Sequence, residues 1–323
     1  MMDNRLSQDQ ESTPQATMLI KKVLVVLNPV AGTTDAGSAK DIIVSHCEEQ
    51  GWEFDIHETE KGEDLRQLVR SSLKNGVDVV IAAGGDGTVS EVVSGMVGSQ
   101  VPLGIIPAGT GNNLARDLAI PVDLKAALNL LGNDHFIQVM DVMEVNRQKH
   151  YVLNVSVGLS SQVMKKTKRQ EKRRFGFLAY VWHAIESILH TDMYTFRLKV
   201  DGKSIRVRAS ELMIANSKFM GLQPQLDGVE INPGDGCMDI FIVRSQTFGD
   251  YLNLAAAFVL RRKPEEDPTL RHLEARKEIM IQTDHPVPAQ GDGEVFGTTP
   301  VEVRLLPAAL RVIAPHPAED AKI

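Results

Sequence analysis

Three glycine-bearing segments carry residue types suited to phosphate chemistry: Asn28-Pro29-Val30-Ala31-Gly32, Gly84-Gly85-Asp86-Gly87-Thr88 and Gly109-Thr110-Gly111-Asn112-Asn113. Glycine lets a backbone approach a phosphate closely and take φ > 0. A helix opening after such a loop offers unpaired N–H groups and a partial positive charge to an anion. Thr88 and Thr110 add hydroxyls that can donate to an anion or cap a helix. A single loop of this kind is as readily a plain strand-to-helix turn; three at the same end of one sheet point to phosphate. Asp86 is an unexpected choice for a turn among glycines. A carboxylate beside phosphates repels them unless a cation lies between, so the pattern implies a divalent metal, Mg²⁺ first, shared between protein and nucleotide phosphates.

Other phosphate signatures are missing from the chain. It has no GxxxxGK[ST], no HRD or DFG, no GxGxxG opening the first helix, and no HExxH. The three loops need a sheet to hold them together, and the flanking sequence supplies one. Val23 to Leu27 is apolar without alternation, the pattern of a strand buried on both faces. A helix is expected over about 36–50, with Ala39, Ile42, Ile43 and Cys47 spaced by three and four. Phe54 to Glu58 is a short alternating strand, 63–75 a helix with Leu65, Leu68, Val69 and Leu73 on one face, and Val77 to Ala83 and Val101 to Ile106 two more buried strands. These are βαβ units of a doubly wound sheet, in which ligands bind outside the carboxyl ends of the strands.

The rhythm changes after about residue 135. Ile137 to Asn146, Tyr151 to Val157, Tyr194 to Val200, Ser204 to Ala215, Cys237 to Val243, Glu278 to Thr283 and Val301 to Leu306 read as strands, with helices over 175–190 and 248–260. Runs of strands with few helices predict a second, antiparallel sandwich domain. Residues 1–20, polar and rich in Gln, Ser and Thr, read as a disordered tail.

Length and composition agree with this. At roughly 150 residues per domain, 323 residues make about two. With 42 acidic and 35 basic side chains the formal charge is −7, which excludes a general nucleic-acid binder. Cys47 and Cys237 form no metal spacing and are too few for a disulfide scaffold, so they read as packing residues of a protein from a reducing compartment. The longest apolar stretch, Phe177 to Leu189, is interrupted by His183 and Glu186 and falls short of a span, and no secretory leader is recognisable. A cytoplasmic protein that works at a membrane only from its surface is expected. Lys165 to Arg174 holds seven cations and one acid and runs into Phe175-Gly176-Phe177-Leu178. Such a run is either a solvated loop or a docking site for anionic headgroups, at about 1 kcal/mol per cation.

Val25-Val26-Leu27-Asn28-Pro29-Val30-Ala31-Gly32, then Gly84-Gly85-Asp86-Gly87-Thr88, then Pro107-Ala108-Gly109-Thr110-Gly111-Asn112-Asn113-Leu114-Ala115-Arg116 resemble the diacylglycerol kinase catalytic-domain family, and most closely its soluble bacterial lipid kinases. The GGDGT segment is shared with NAD kinases; NPxAG and GTGN make the resemblance more specific. It implies a phosphofructokinase-like three-layer α/β nucleotide-binding domain, here 21–142 with a closing segment at about 304–316, and a β-sandwich lipid-substrate domain at 143–303. It implies ATP bound by Asn28, Thr59, Gly84, Gly85, Asp86, Gly87, Thr88, Glu91, Thr110 and Asn112. It implies Glu294 of Asp292-Gly293-Glu294 as general base for a lipid hydroxyl, and Asp86 as the other catalytic residue; the Asp-Gly-Glu residues alone also read as a hairpin turn. It further implies a structural Mg²⁺ on the turn Asn232 to Cys237, held by the Asp235 side chain and the carbonyls of Asn232 and Cys237. Asp141 falls at the domain junction, where relatives also have Asp. The implied partners are a diacylglycerol-like lipid and, transiently, a membrane surface, and dimers are common among relatives.

The chain departs from the family at Asn113, where Asp is usual, and at Thr33, where several bacterial members have Lys. These departures keep open a non-catalytic lipid- or nucleotide-binding regulator. The shared GGDGT segment keeps open an NAD kinase-like enzyme.

Overall fold

The computed structural model describes residues 20–30, 36–60, 62–132, 135–161, 192–217, 231–245, 247, 249–250, 253 and 269–316. The first-loop residues Ala31 to Thr33, the N-terminal tail apart from Ile20, the basic run, the 175–190 helix and nearly all of the 248–260 helix lie outside them.

Strands β1 (Lys22–Leu27), β2 (Glu53–Glu58), β3 (Val79–Gly84) and β4 (Leu103–Pro107) are parallel, in the order β2-β1-β3-β4. Every residue of β3 and β4 is buried, which is why these strands read as unbroken apolar runs. Helix α1 (Ala36–Glu49) and α5 (Leu124–Gly132) share one core with Val23, Val25 and Ile81. Helices α2 (Leu65–Lys74) and α3 (Asp86–Met96) pack on the opposite face against Leu24, Val26 and Val80. The result is a three-layer α/β/α unit. The connections diverge between β1 and β3, so a crevice opens there at the carboxyl ends of the strands.

The sheet does not stop at the end of this unit. β16 (Val301–Ala314) lies parallel to β4 through Val312↔Leu103 and antiparallel to β5 (Phe136–Val145), then continues the sheet through β13 (Glu278–Thr283), β8 (Tyr194–Val200) and β9 (Lys203–Ala209). One ten-stranded sheet therefore runs through both halves. Its antiparallel end packs on a six-stranded sheet that contains β7 (Asn154–Gly158), β10 (Glu211–Ala215), β11 (Met238–Val243) and β12 (Leu270–Ala275). Phe196, Leu212, Ile240, Ile279 and Val303 fill the space between the sheets, all fully buried.

Two expected strands are broken. Tyr151 to Val157 divides into β6 (Lys149–Tyr151) and β7, because the amides of Val152, Leu153 and Asn154 leave the ladder for a carboxylate described below. Ser204 to Ala215 divides at Ser210, where the chain passes from one sheet to the other. Conversely, Val301 to Leu306 extends through the closing segment as a single strand, bulged between Leu306 and Leu310.

Candidate active site

The three glycine loops meet at the carboxyl ends of β1, β3 and β4 and are tied to one another. Asn28 Nδ2 donates to the Thr88 hydroxyl at 3.1 Å, joining the first loop to the second. Asp86 joins the second to the third: Oδ2 accepts from the Asn112 amide at 3.0 Å and Oδ1 from the Asn113 amide at 2.6 Å. Asn112 sits at φ 50°, ψ 47°, and its side chain closes a ring on Gly109, accepting from the amide and donating to the carbonyl, both at 2.8 Å. Gly85 and Gly109 approach so closely that a Cβ on Gly109 would lie 2.7 Å from the Gly85 Cα. Packing thus requires glycine at Gly109 and leaves little room at Gly85, where a Cβ would lie 3.3 Å from the Gly109 Cα. Thr59 follows β2 on the same edge of the sheet, its amide bonded to the Leu27 carbonyl. Thr110 is exposed at the tip of the third loop.

This arrangement changes which helix end can meet an anion. The sequence offers the amides after both the second and the third loop. At α4 (Asn113–Asp117) the Asn112 and Asn113 amides are already bound to Asp86. At α3 the N-cap is Gly85, with no side chain to cap the first turn. The first turn of α3, at Asp86, Gly87 and Thr88, thus has no side-chain cap, while the first two amides at the start of α4 are occupied.

The Asp292-Gly293 pair forms the two-residue turn of a hairpin between β14 (Pro288–Gly291) and β15 (Glu294–Thr298). With φ values of 46° and 88°, both residues have the signs of a type I′ turn. The hairpin reading and the catalytic reading therefore describe the same object. The Asp292 carboxylate accepts three successive amides, from Val152 at 2.8 Å and from Leu153 and Asn154 at 2.9 Å each. Burial pushes its pKa up to about 6 against the opposing pull of these bonds, so it is ionised at neutral pH. Glu294, two residues on, is exposed. Its neighbours are the buried Tyr151, whose ring fills the space a Cβ on Gly291 would need, and Phe296, stacked on that ring at 5.4 Å. Burial and the charges of Glu294 and Asp292 raise the Tyr151 phenol out of the titrating range.

A chain of hydrogen bonds backs the turn. The Gly293 amide donates to Gln290 Oε1 at 2.9 Å, and Gln290 Nε2 donates to Asn154 Oδ1 at 3.1 Å and to the Ser156 hydroxyl at 3.0 Å. Ser156 bonds in turn to Glu211, which also takes the Ser160 amide at 3.0 Å and the Ser160 hydroxyl. Burial raises Glu211 to about 7. Across roughly pH 4.5 to 7 the unfolded chain has lost this proton while the folded chain keeps it, so the contribution of Glu211 to stability falls as pH rises. Wild type minus Glu211→Gln, measured by denaturant unfolding across that window, is expected to show a loss of up to about 3 kcal/mol. A difference that does not change with pH would mean that Glu211 is ionised throughout.

The two halves of the site sense each other's charge. Asp86 raises Asp292, and Glu294 is, after burial, the largest influence raising Glu91 of α3. Residues of α3 and the turn bearing Glu294 are thus near enough to feel one another's charge, with the Arg66 guanidinium lowering Glu91 from α2.

At the junction Asp141 is almost fully buried and clasps two strangers in sequence, taking the Ala308 amide and the Gly236 amide at 2.7 Å each. In the turn Asn232 to Cys237, Asp235 Oδ1 accepts the Cys237 amide at 3.0 Å and Asn232 Oδ1 the Gly234 amide at 3.1 Å. Burial raises the Asp235 carboxyl, with the charges of Asp239 and Asp141 adding to it, an excess of negative charge that a hard cation would relieve. Cys47 and Cys237 are buried free thiols, each with its pKa raised by burial. Among the described residues, no three His, Cys, Asp or Glu side chains are grouped as a metal cage, and no helix is long and apolar enough to cross a membrane.

Sequence reasoning missed the roles of Asp292 and Gln290. Asp-Gly announced the turn, but nothing local signals that the Asp side chain turns inward to amides about 140 residues away.

The fold and this crevice are those of a kinase-like family. Residues 22–145 match the diacylglycerol kinase catalytic domain, and residues 153–314 match the YegS C-terminal NAD kinase beta sandwich-like domain. The chain belongs to the diacylglycerol kinase catalytic-domain family. A Staphylococcus haemolyticus protein named "Putative lipid kinase" is 32% identical over 250 residues, covering 76% of this chain and 79% of its own. A Synechocystis protein bearing no functional name is 28% identical over 304 residues, covering 90% and 70%. A crystal structure from Bacillus anthracis, titled a "putative diacylglycerol kinase", superposes with a TM-score of 0.77 at 26% identity, covering 94% of this chain and 98% of that one.

Proposed function

We propose that this chain is an ATP- and Mg²⁺-dependent lipid kinase that transfers the γ-phosphate to a hydroxyl of diacylglycerol or a similar lipid. The observation that carries the reading is the placement of the exposed Glu294 opposite the uncapped N-terminus of α3. The α3 amides at Gly85 to Thr88 receive the phosphates, with Asn28, Thr59, Thr110 and Asn112 holding the loops that border the nucleotide. Glu294 takes the proton of the acceptor hydroxyl as it attacks. Tyr151 and Phe296 give that hydroxyl an apolar wall. Each Asp86 oxygen accepts one amide and so keeps further lone-pair capacity. This fits Mg²⁺, which takes one or two carboxylates together with substrate phosphates and would there neutralise developing phosphate charge. Asp235 with the carbonyls of Asn232 and Cys237 fits a second, structural Mg²⁺. Residues 21–142 with about 304–316 form the nucleotide half, and 143–303 the lipid half. The protein works in the cytoplasm, meets membranes peripherally and contacts no nucleic acid.

The test is transfer of label from γ-labelled ATP to a panel of lipids in mixed micelles with Mg²⁺. Label in one lipid class, and none in NAD, is expected. Label in NAD alone would move the chain to the NAD kinase reading. ATP binding without any transfer would make it a regulator.

A further inference from the structure

The outward face of β8, β9 and β13 is unusually cationic for a chain of net charge −7. That face carries Arg197, Lys199, Arg206 and Arg208 against the single strand carboxylate Glu278, while the turn acid Asp201 is bonded to the amides of Arg276, Lys277 and Glu278. Strand alternation turns Phe196, Leu198 and Val200 inward and leaves Arg197 and Lys199 exposed. On β9 it exposes Ser204, Arg206 and Arg208.

The register sets Arg206 directly across from Arg197, and Ser204 across from Lys199. Like charges facing each other across a ladder are unfavourable, and the two guanidiniums share the Asp284 carboxylate. A depression of about 470 Å³ lies over these pairs, lined by Arg197, Lys199, Ser204, Arg206, Met280 and Gln282. Met280 is a large apolar side chain left 37% exposed, across from Lys199 on β8 and from Glu302 on β16. Cations on an edge strand such as β9 deter edge-to-edge pairing. That accounts for Arg206 and Arg208. It does not account for Arg197 and Lys199, because β8 is an interior strand, paired on one side with β9 and on the other with β13.

We propose that this face docks the protein on an anionic bilayer, with lipid phosphate headgroups seated in the depression between Arg197, Lys199 and Arg206. The inference rests on the reading of the acceptor as a lipid drawn from a membrane, and it gives that reading a surface. Its residues are distinct in the sequence from the Lys165 to Arg174 run. An exposed cation near an anionic leaflet contributes roughly a fivefold factor in binding.

The experiment is co-sedimentation of the full chain with phosphatidylcholine vesicles, with and without phosphatidylglycerol. Wild type is expected to sediment with the anionic vesicles only. Arg206→Glu with Arg208→Glu should weaken that binding by about 25-fold or more, with an unchanged thermal midpoint. Lys199→Gln should weaken it by roughly fivefold, and Asp284→Asn, which releases two guanidiniums, should strengthen it by about as much; misfolding cannot produce an effect of that sign. Transfer of phosphate to a monomerically dispersed short-chain diacylglycerol should be unchanged in the double variant. That arm separates the two readings, since a wild type that binds anionic vesicles but phosphorylates no lipid fails as a kinase and not as a membrane binder. A double variant that sediments like wild type would overturn the proposal and assign docking to the 165–174 run. So would a wild type that binds inorganic phosphate but ignores anionic vesicles.

Discussion

Glu294→Gln lowers phosphate transfer by about two to four orders of magnitude, the usual contribution of a positioned general base, with nucleotide affinity unchanged. The substitution keeps the shape of the side chain and removes its ability to take a proton. Glu294 is exposed at the first position of β15, while the turn before it is held by Asp292 and Gln290. Its loss therefore leaves stability within about 0.5 kcal/mol. Three measurements check this: label transfer at saturating lipid, equilibrium nucleotide binding and thermal unfolding. The pattern is specific, because Asp292→Ala would also lower activity but would unfold more easily, leaving three amides without their acceptor. Transfer at the wild-type rate in Glu294→Gln would remove this residue from the mechanism.

Asp86→Ala costs about 3 kcal/mol of stability and about 100-fold in nucleotide affinity. Hydrogen bonds to a charged acceptor are each worth about 1.5–3 kcal/mol, and the two broken here share one carboxylate, so they do not add fully. The freed third loop must be reordered each time nucleotide binds, and a cost of that size corresponds to roughly a factor of 100 in affinity. Denaturant unfolding and nucleotide titration read the two effects. The titration is run with Mg²⁺ and with a chelator present. The loss expected from the clasp between loops persists without metal, and any additional loss seen only with Mg²⁺ measures the share of Asp86 as a ligand. Were the whole loss to vanish in chelator, the amide bonds to Asn112 and Asn113 would carry none of it.

Much of the first half was legible from residue order alone. β3 and β4 are buried on both faces, and a strand in that position must be apolar at every residue. The helices over 36–49 and 65–74 bury one stripe each, and a stripe has a readable period. The glycine loops were legible because turns and close backbone approach admit few other residues. The strand breaks were not legible. Val152, Leu153 and Asn154 are apolar or neutral like their neighbours, and only a carboxylate arriving from Asp292 takes them out of the ladder.

The same division separates the site's chemistry from its assembly. The residues by themselves determined the glycine loops, the Asp-Gly turn before Glu294 and the family, because each depends on residue type at short spacing. Only the tertiary structure decided that Asp86 spends its charge on the third loop, that the Asn112 and Asn113 amides are taken by it, and that the charge of Glu294 reaches Glu91. Those facts depend on which backbone amides a side chain finds after folding. Hydrogen-bond partners 26 to 140 residues away leave no period or composition in the chain that bears them.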